Sequence, residues 1–256
     1  MLALPQSKIV AFHGFMGVGA DVEPFVDACG LDIDIEAPDL IGHGSFQCDD
    51  PVEYSLDAQL EYWSVKIPKG SVLIGYSMGG RLALQFACRY PDHLSGLVLI
   101  GATPGIEDPD ERARRQKWDA SQAERIRELG IEGFYNEWQR LPIIATQERI
   151  DPDIRSKMKA NRLTQSIEGL ANSMIHFGTG TMPDCWDALP TLSLPILLMV
   201  GEEDAKYRGI ASRMMDRLPG DSAESAIISN AGHCVHLESM SESAITLKLW
   251  LKRHFS

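Results

Sequence analysis

The sequence predicts an α/β fold: a mostly parallel β-sheet flanked by helices, with a helical segment inserted before the last two strands. Three observations carry this. Short, continuously apolar, β-branched runs recur along the chain, as strands buried on both faces require. Helical patterns fall between them. The alternation then breaks from about 105 to about 187, where helical patterns continue without a convincing strand. The chain has 256 residues, 44% hydrophobic and 23% charged, which suits one domain spanning 1–256 with that insertion as a cap.

The expected strands, in order, are Lys8-Ile9-Val10-Ala11-Phe12, Ile33-Asp34-Ile35-Glu36-Ala37, Ser71-Val72-Leu73-Ile74-Gly75-Tyr76, Leu97-Val98-Leu99-Ile100, Ile196-Leu197-Leu198-Met199-Val200 and Glu224-Ser225-Ala226-Ile227-Ile228. Pro38 closes the second. The clearest helix runs from Gly80 to Arg89, with Leu82, Ala83, Phe86 and Ala87 on one side and Pro91 beyond its end. Ser241 to His254 reads as a C-terminal helix. Within the insertion, Asp110 to Leu129, Ile131 to Arg140 and Asp151 to Phe177 are helical. A helical insertion between two strands is a natural lid.

The most informative motif is Gly75-Tyr76-Ser77-Met78-Gly79, a G-x-S-x-G between an expected strand and an expected helix. That is the setting of a nucleophile elbow, and it makes the fold an α/β-hydrolase fold. The serine sits on a tight, strained turn, and the flanking glycines let neighbouring backbone approach closely. The helix N-terminus behind Ser77 favours developing negative charge.

A serine hydroxyl needs a base to take its proton. In this fold the order is serine, acid, histidine. His233, in Asn230-Ala231-Gly232-His233 past the last strand, is the expected base; His236 is expected to support the loop or pack. The acid follows the preceding strand, where Glu202, Glu203 and Asp204 are available. Asp204, at the turn into the next helix, is the choice, with Glu203 open on spacing alone. The acid would hold the imidazole tautomer. Two backbone N–H donors are expected to form an oxyanion hole: Met78, after the serine, and Phe15, in the turn His13-Gly14-Phe15-Met16-Gly17. His13 and His43 are read as structural.

The net charge of −12 argues against non-specific nucleic-acid binding. No apolar run is long enough to span a membrane. Met1-Leu2-Ala3-Leu4-Pro5 does not read as a signal peptide. The five cysteines, Cys29, Cys48, Cys88, Cys185 and Cys234, are scattered and form no C-x-x-C. The expectation is a cytoplasmic protein without a disulfide framework or metal knuckle. The sequence sets no oligomeric state. Arg81, four residues after Ser77, lies one helical turn along the elbow helix. It suits either a carboxylate-bearing substrate, by bidentate pairing, or a surface salt bridge.

These residues also carry a family resemblance running through most of the chain. Beside the elbow and the His13–Gly17 turn stand Asp39-Leu40-Ile41-Gly42-His43-Gly44, Gly79-Gly80-Arg81, Gly101-Ala102-Thr103-Pro104-Gly105, Glu111-Arg112-Ala113-Arg114-Arg115, Phe134-Tyr135-Asn136-Glu137-Trp138, Gly178-Thr179-Gly180, Asp204-Ala205-Lys206-Tyr207 and Gly232-His233-Cys234-Val235-His236-Leu237-Glu238. Together they resemble the 2-succinyl-6-hydroxy-2,4-cyclohexadiene-1-carboxylate synthases, lyases of menaquinone and phylloquinone biosynthesis. One departure is Ile41, where proline is commoner. The resemblance implies that Arg81, Arg115 and Arg162 bind substrate carboxylates and that Tyr76 and Trp138 line the pocket. Arg112 competes with Arg115 for its role.

The resemblance further implies elimination of pyruvate from a small, three-carboxylate substrate, without metal or organic cofactor. Two rivals remain on the sequence. A serine hydrolase of esters or carbon–carbon bonds would use the same three residues, and a non-catalytic ligand-binding protein could share the fold.

Overall fold

A computed structural model of the chain describes residues 8–31 and 35–255. Six parallel strands form one sheet: β1 (Ile9–Phe12), β2 (Ile35–Glu36), β3 (Ser71–Tyr76), β4 (Leu94–Ile100), β5 (Ile196–Gly201) and β6 (Ala223–Ile228), in spatial order β2-β1-β3-β4-β5-β6. Of the expected second strand, Ile35 and Glu36 are paired, while Ile33 and Asp34 lie outside the described residues, as does the segment read for a signal peptide. The fourth strand begins three residues before the expected Leu97, because Leu94 and Gly96 already pair with β3.

Successive side chains of a strand point to opposite faces, and the two faces bury different cores. Val10, Phe12, Leu73, Leu97 and Leu99 pack against helices α2 (Leu56–Lys66), α3 (Met78–Arg89) and α8 (Ala205–Met215). Ile9, Ala11, Val72, Ile74, Val98 and Ile100 pack against α1 (Glu23–Cys29), the short α9 (Val235–Glu238) and α10 (Met240–Phe255). Both faces are covered, which explains why these strands read as continuous apolar runs. Connections leave β1 and β3 toward opposite sides of the sheet. The crevice beyond their C-terminal ends is therefore the topological switch point, where ligands bind in open α/β sheets.

The insertion between β4 and β5 holds α4 (Pro109–Trp138), α5 (Pro142–Ala145), α6 (Pro152–Leu163) and α7 (Ile167–Phe177). Local chemistry sets the boundaries. Asp108 accepts from the Glu111 N–H at 2.7 Å, with Pro109 as the first helical residue. Gly130, at φ 66° and ψ 178°, splits α4 into the two helices expected on either side of it; that conformation is open essentially to glycine alone. The expected continuous helix 151–177 is in fact two. Asp151 caps α6, and Ser166 accepts from the Gly169 N–H at 3.1 Å to start α7 after a break. The cap has its own apolar cluster, including Ile126, Phe134, Leu170 and Met174, closed from below by Met16 of the β1 loop. No helix of the described residues is long and apolar enough to cross a membrane.

Candidate active site

The elbow begins where β3 meets α3. Helix α3 starts at Met78, two residues earlier than the sequence suggests, so Ser77 occupies its N-cap position at φ 50° and ψ −105°. Few non-glycine residues adopt positive φ, and the strain is held by what surrounds it. The Ser77 N–H donates to the Ile100 carbonyl at 2.9 Å, and the Gly79 N–H to the His13 carbonyl at 3.1 Å. A Cβ on Gly75 would come within 2.5 Å of the Gly79 carbonyl oxygen, and one on Gly79 equally close to that of His13. Only glycines permit this turn.

The side chains of Ser77, His233 and Asp204 form one hydrogen-bonded chain. His233 Nε2 lies 2.9 Å from Ser77 Oγ, and Nδ1 lies 2.7 Å from Asp204 Oδ2. In the neutral tautomer that fits, Nδ1–H donates to the carboxylate and the serine hydroxyl donates to Nε2. Asp204 is doubly used, since its Oδ1 caps α8 by accepting from the Tyr207 N–H at 3.1 Å. Glu203, the alternative acid, turns outward into a bidentate pair with Arg149 at 2.6 and 2.7 Å. Glu202 accepts from the Asn230 N–H instead.

The histidine loop is clasped by Glu238, whose carboxylate accepts from the N–H groups of Gly232 at 2.6 Å and Cys234 at 3.0 Å. It also accepts from the Thr146 hydroxyl at 2.9 Å, which ties the loop to the cap. Gly101 makes room beneath the imidazole: a Cβ there would lie 2.7 Å from His233 Cε1. Tyr207 packs at a tilt against the same ring with centroids 4.5 Å apart. Neither the Glu238 clasp nor the Tyr207 contact was legible in the sequence. Glu238 lies close in the chain to the Gly232 and Cys234 N–H groups it holds, but a glutamate at that spacing carries no mark of such a clasp. Tyr207 meets a ring far along the chain, and only the Asp204–Tyr207 spacing hinted at it.

The other histidines near the serine are structural, as expected. Leu40 N–H donates to His13 Nε2 at 2.9 Å, and burial pulls His13 down to about 4. His43 is fully buried against Phe15 and pulled down to about 3, by desolvation first and His13 second. His236 packs between Tyr76 and Phe25, and burial lowers it to about 3 as well. All three are neutral at pH 7 and poor partners for the serine.

Two cavities meet at Ser77. The larger, about 360 Å³, is lined by Ser77, His233, Arg81, Arg115, Trp138 and Tyr207 among others. The smaller, about 50 Å³, lies on the other side of the serine and takes in Tyr76, Arg162, Gln147 and His236. Phe15, Trp138 and Ile144 border both. Met78 is the first residue of α3, so its N–H has no carbonyl a turn behind it. The Phe15 N–H has no acceptor among the described residues. Both residues line the larger cavity together with Ser77.

The three arginines stand apart. Arg81 is buried, donates to the Phe177 carbonyl at 2.9 Å and lies 5.0 Å over the Phe177 ring. It has no ion pair among the described residues, so the surface salt bridge that the sequence left open is not formed. Desolvation pulls it down to about 10, and Arg115 adds to that. Arg115 donates from Nε to Asp119 at 2.8 Å and stacks 4.5 Å over Trp118. Asp119, 1% exposed, also accepts from the Gly180 N–H at 3.1 Å. Arg112 borders neither cavity, whereas Arg115 borders the larger. Arg162 faces the small cavity, donating to Gln147 at 2.8 Å, while its buried Nε has no hydrogen-bond partner among the described residues. Tyr76 also belongs to the small cavity, pressed under Gly14, and Trp138 stacks on Phe134 at 5.4 Å where the cavities join.

The Alpha/beta hydrolase family model matches residues 9–244. A provisionally named 2-succinyl-6-hydroxy-2,4-cyclohexadiene-1-carboxylate synthase of Bacillus subtilis (strain 168) is 37% identical, over 91% of this chain and 86% of its own. The enzyme so named in Escherichia coli O1:K1 is 28% identical over 90% of this chain and 88% of its own. Among solved structures, MenH from S. aureus superposes with a TM-score of 0.90 at 28% identity, covering 98% of this chain and 95% of that one. Fold, elbow and relatives lead to one conclusion: the chain belongs to the 2-succinyl-6-hydroxy-2,4-cyclohexadiene-1-carboxylate synthases of the alpha/beta hydrolase family.

Proposed function

We propose that the protein is a carbon–oxygen lyase that eliminates pyruvate from 2-succinyl-5-enolpyruvyl-6-hydroxy-3-cyclohexene-1-carboxylate, a step of menaquinone and phylloquinone biosynthesis. The observation that carries this is Arg81: a buried guanidinium with no carboxylate at ion-pair distance among the described residues, facing the same cavity as the Ser77–His233 pair. A buried, uncompensated cation is costly unless an anion arrives, and this substrate brings three carboxylates.

In this reading His233, held by Asp204, takes the Ser77 proton as the serine oxygen removes the ring proton alpha to the succinyl carbonyl. The N–H groups of Phe15 and Met78 hold the enolate oxygen. The electron pair moves through the ring double bond and breaks the C–O bond to the enolpyruvyl group. Enolpyruvate leaves and becomes pyruvate on taking a proton at carbon. Arg81 and Arg115 hold carboxylates in the large cavity, Arg162 one in the small cavity, and Tyr76 and Trp138 shape the walls. The segment 105–187 acts as the lid of a single domain, 1–256. No metal or organic cofactor enters the mechanism. We place the protein in the cytoplasm, with a small anionic molecule rather than nucleic acid or membrane as its partner.

The test is pyruvate release from the enolpyruvyl substrate beside a panel of p-nitrophenyl esters. Fast release, lost in Ser77→Ala and Arg81→Ala, supports the lyase. Ester turnover without pyruvate would make the protein a serine hydrolase. Tight binding with neither activity would make it a ligand-binding protein.

A further inference from the structure

Helix α8 brings two side chains to the site from adjacent positions. Tyr207 lies against His233, and Lys206, one residue earlier, lines the large cavity on the side of Arg115. Lys206 also lines two neighbouring cavities. One, about 350 Å³, lies between the start of the cap and α8; the other, about 220 Å³, opens beside Asp204 and His233. Lys206 therefore borders three open spaces at the mouth of the substrate cavity, with its ammonium 5.7 Å from the centroid of the Tyr207 ring.

The charges around it are unbalanced. Arg115 has Asp119 as its partner, but Arg81 has none, and Lys206 has no carboxylate within ion-pair distance among the described residues. Desolvation, then the charge of Arg115, lowers the Lys206 pKa; Asp204 and Glu111 oppose this from further off. Arg115 is the positive charge felt by both Arg81 and Lys206, and an anion bound in the cavity they line would relieve that repulsion.

We propose that Lys206 is a substrate-binding residue, taking a carboxylate of the substrate at the cavity mouth while Arg81 holds another deeper in. The proposal rests on the lyase reading. A lysine suits this place: its ammonium is a flexible point charge on a long stem and can follow a ligand inward from an open mouth.

The test is steady-state pyruvate release by the whole protein. Losing one charge-assisted contact of about 1.5–3 kcal/mol corresponds to a factor of about 10–100. Lys206→Met is expected to raise KM by about that factor, with kcat within about threefold. Lys206→Arg should restore most of the loss. The rise of KM with added salt should also be shallower in Lys206→Met. Arg112→Met removes the same charge from a position bordering no substrate cavity and should leave KM alone. A KM in Lys206→Met equal to that of wild type, or a fall in kcat with KM unchanged, would overturn the proposal while leaving the lyase reading intact. No pyruvate release by wild-type protein would overturn both.

Discussion

The two walls of the large cavity are built differently. On the sheet side, Ser77, Asp204 and His233 stand at strand ends or in loops just beyond them, and backbone hydrogen bonds, glycine contacts and the Glu238 clasp fix where they stand. On the cap side, Arg115 is aimed by the Asp119 side chain, while Trp138 is placed by stacking on Phe134 and by a tilted contact with Phe15. Chemistry on a proton needs reacting atoms held within a few tenths of an ångström, which strand ends supply. Holding carboxylates tolerates more movement, which side chains aimed by other side chains allow. The comparison teaches that a change on the sheet side should reduce kcat and one on the cap side should raise KM.

That division can be broken in descending order of effect. Ser77→Ala should lower kcat for pyruvate release by about 10³-fold or more, while calorimetry shows substrate still binding. Equal loss of binding would mean that the serine also holds the ground state. Arg81→Met, on the elbow helix but facing the substrate, should cost about 100-fold in kcat/KM, most of it in KM. A purely kcat effect would reassign this arginine to the sheet side. Asp119→Asn should weaken the hold on Arg115 and on Gly180 together. A KM rise of about tenfold and a stability loss of about 1–3 kcal/mol are expected, read by pyruvate assay and urea unfolding.

The smallest effect concerns the buried histidines. His13, His43 and His236 fall from an ordinary value of 6.5 to about 4, 3 and 3 on folding. The unfolded chain therefore binds more protons between those values and 6.5. Stability from burying them neutral is complete above pH 6.5 and is lost as pH falls toward 3–4. His236→Phe should flatten the fall of Tm between pH 7 and 4 and leave the acid limb of the pyruvate-release profile in place. Loss of that limb would give His236 a part in the proton relay.

The parts that were legible in the chain share a property: their signal is local. Ser77 announces itself through glycines two residues to either side, and the strands through runs of apolar residues. His233 and Asp204 follow because the strands before them place loops at one edge of the sheet. The break in the expected 151–177 helix was less visible, because Ser166 is a cap in one setting and an ordinary helical residue in another.

By itself the sequence determined the sheet, the elbow and the order of serine, acid and histidine, since hydrophobic period and turn chemistry act between neighbours in the chain. Tertiary structure closed the Glu203 alternative to Asp204 by pairing it with Arg149, and it alone decided that Arg115 rather than Arg112 faces the larger cavity and that Arg162 borders the smaller one, apart from the other two arginines. It also decided that Tyr207 and Lys206 reach the site. These outcomes depend on how helices of the cap and of the sheet's flank rotate against each other. That rotation is set by contacts between residues distant in the chain, for which no short stretch of sequence carries a mark.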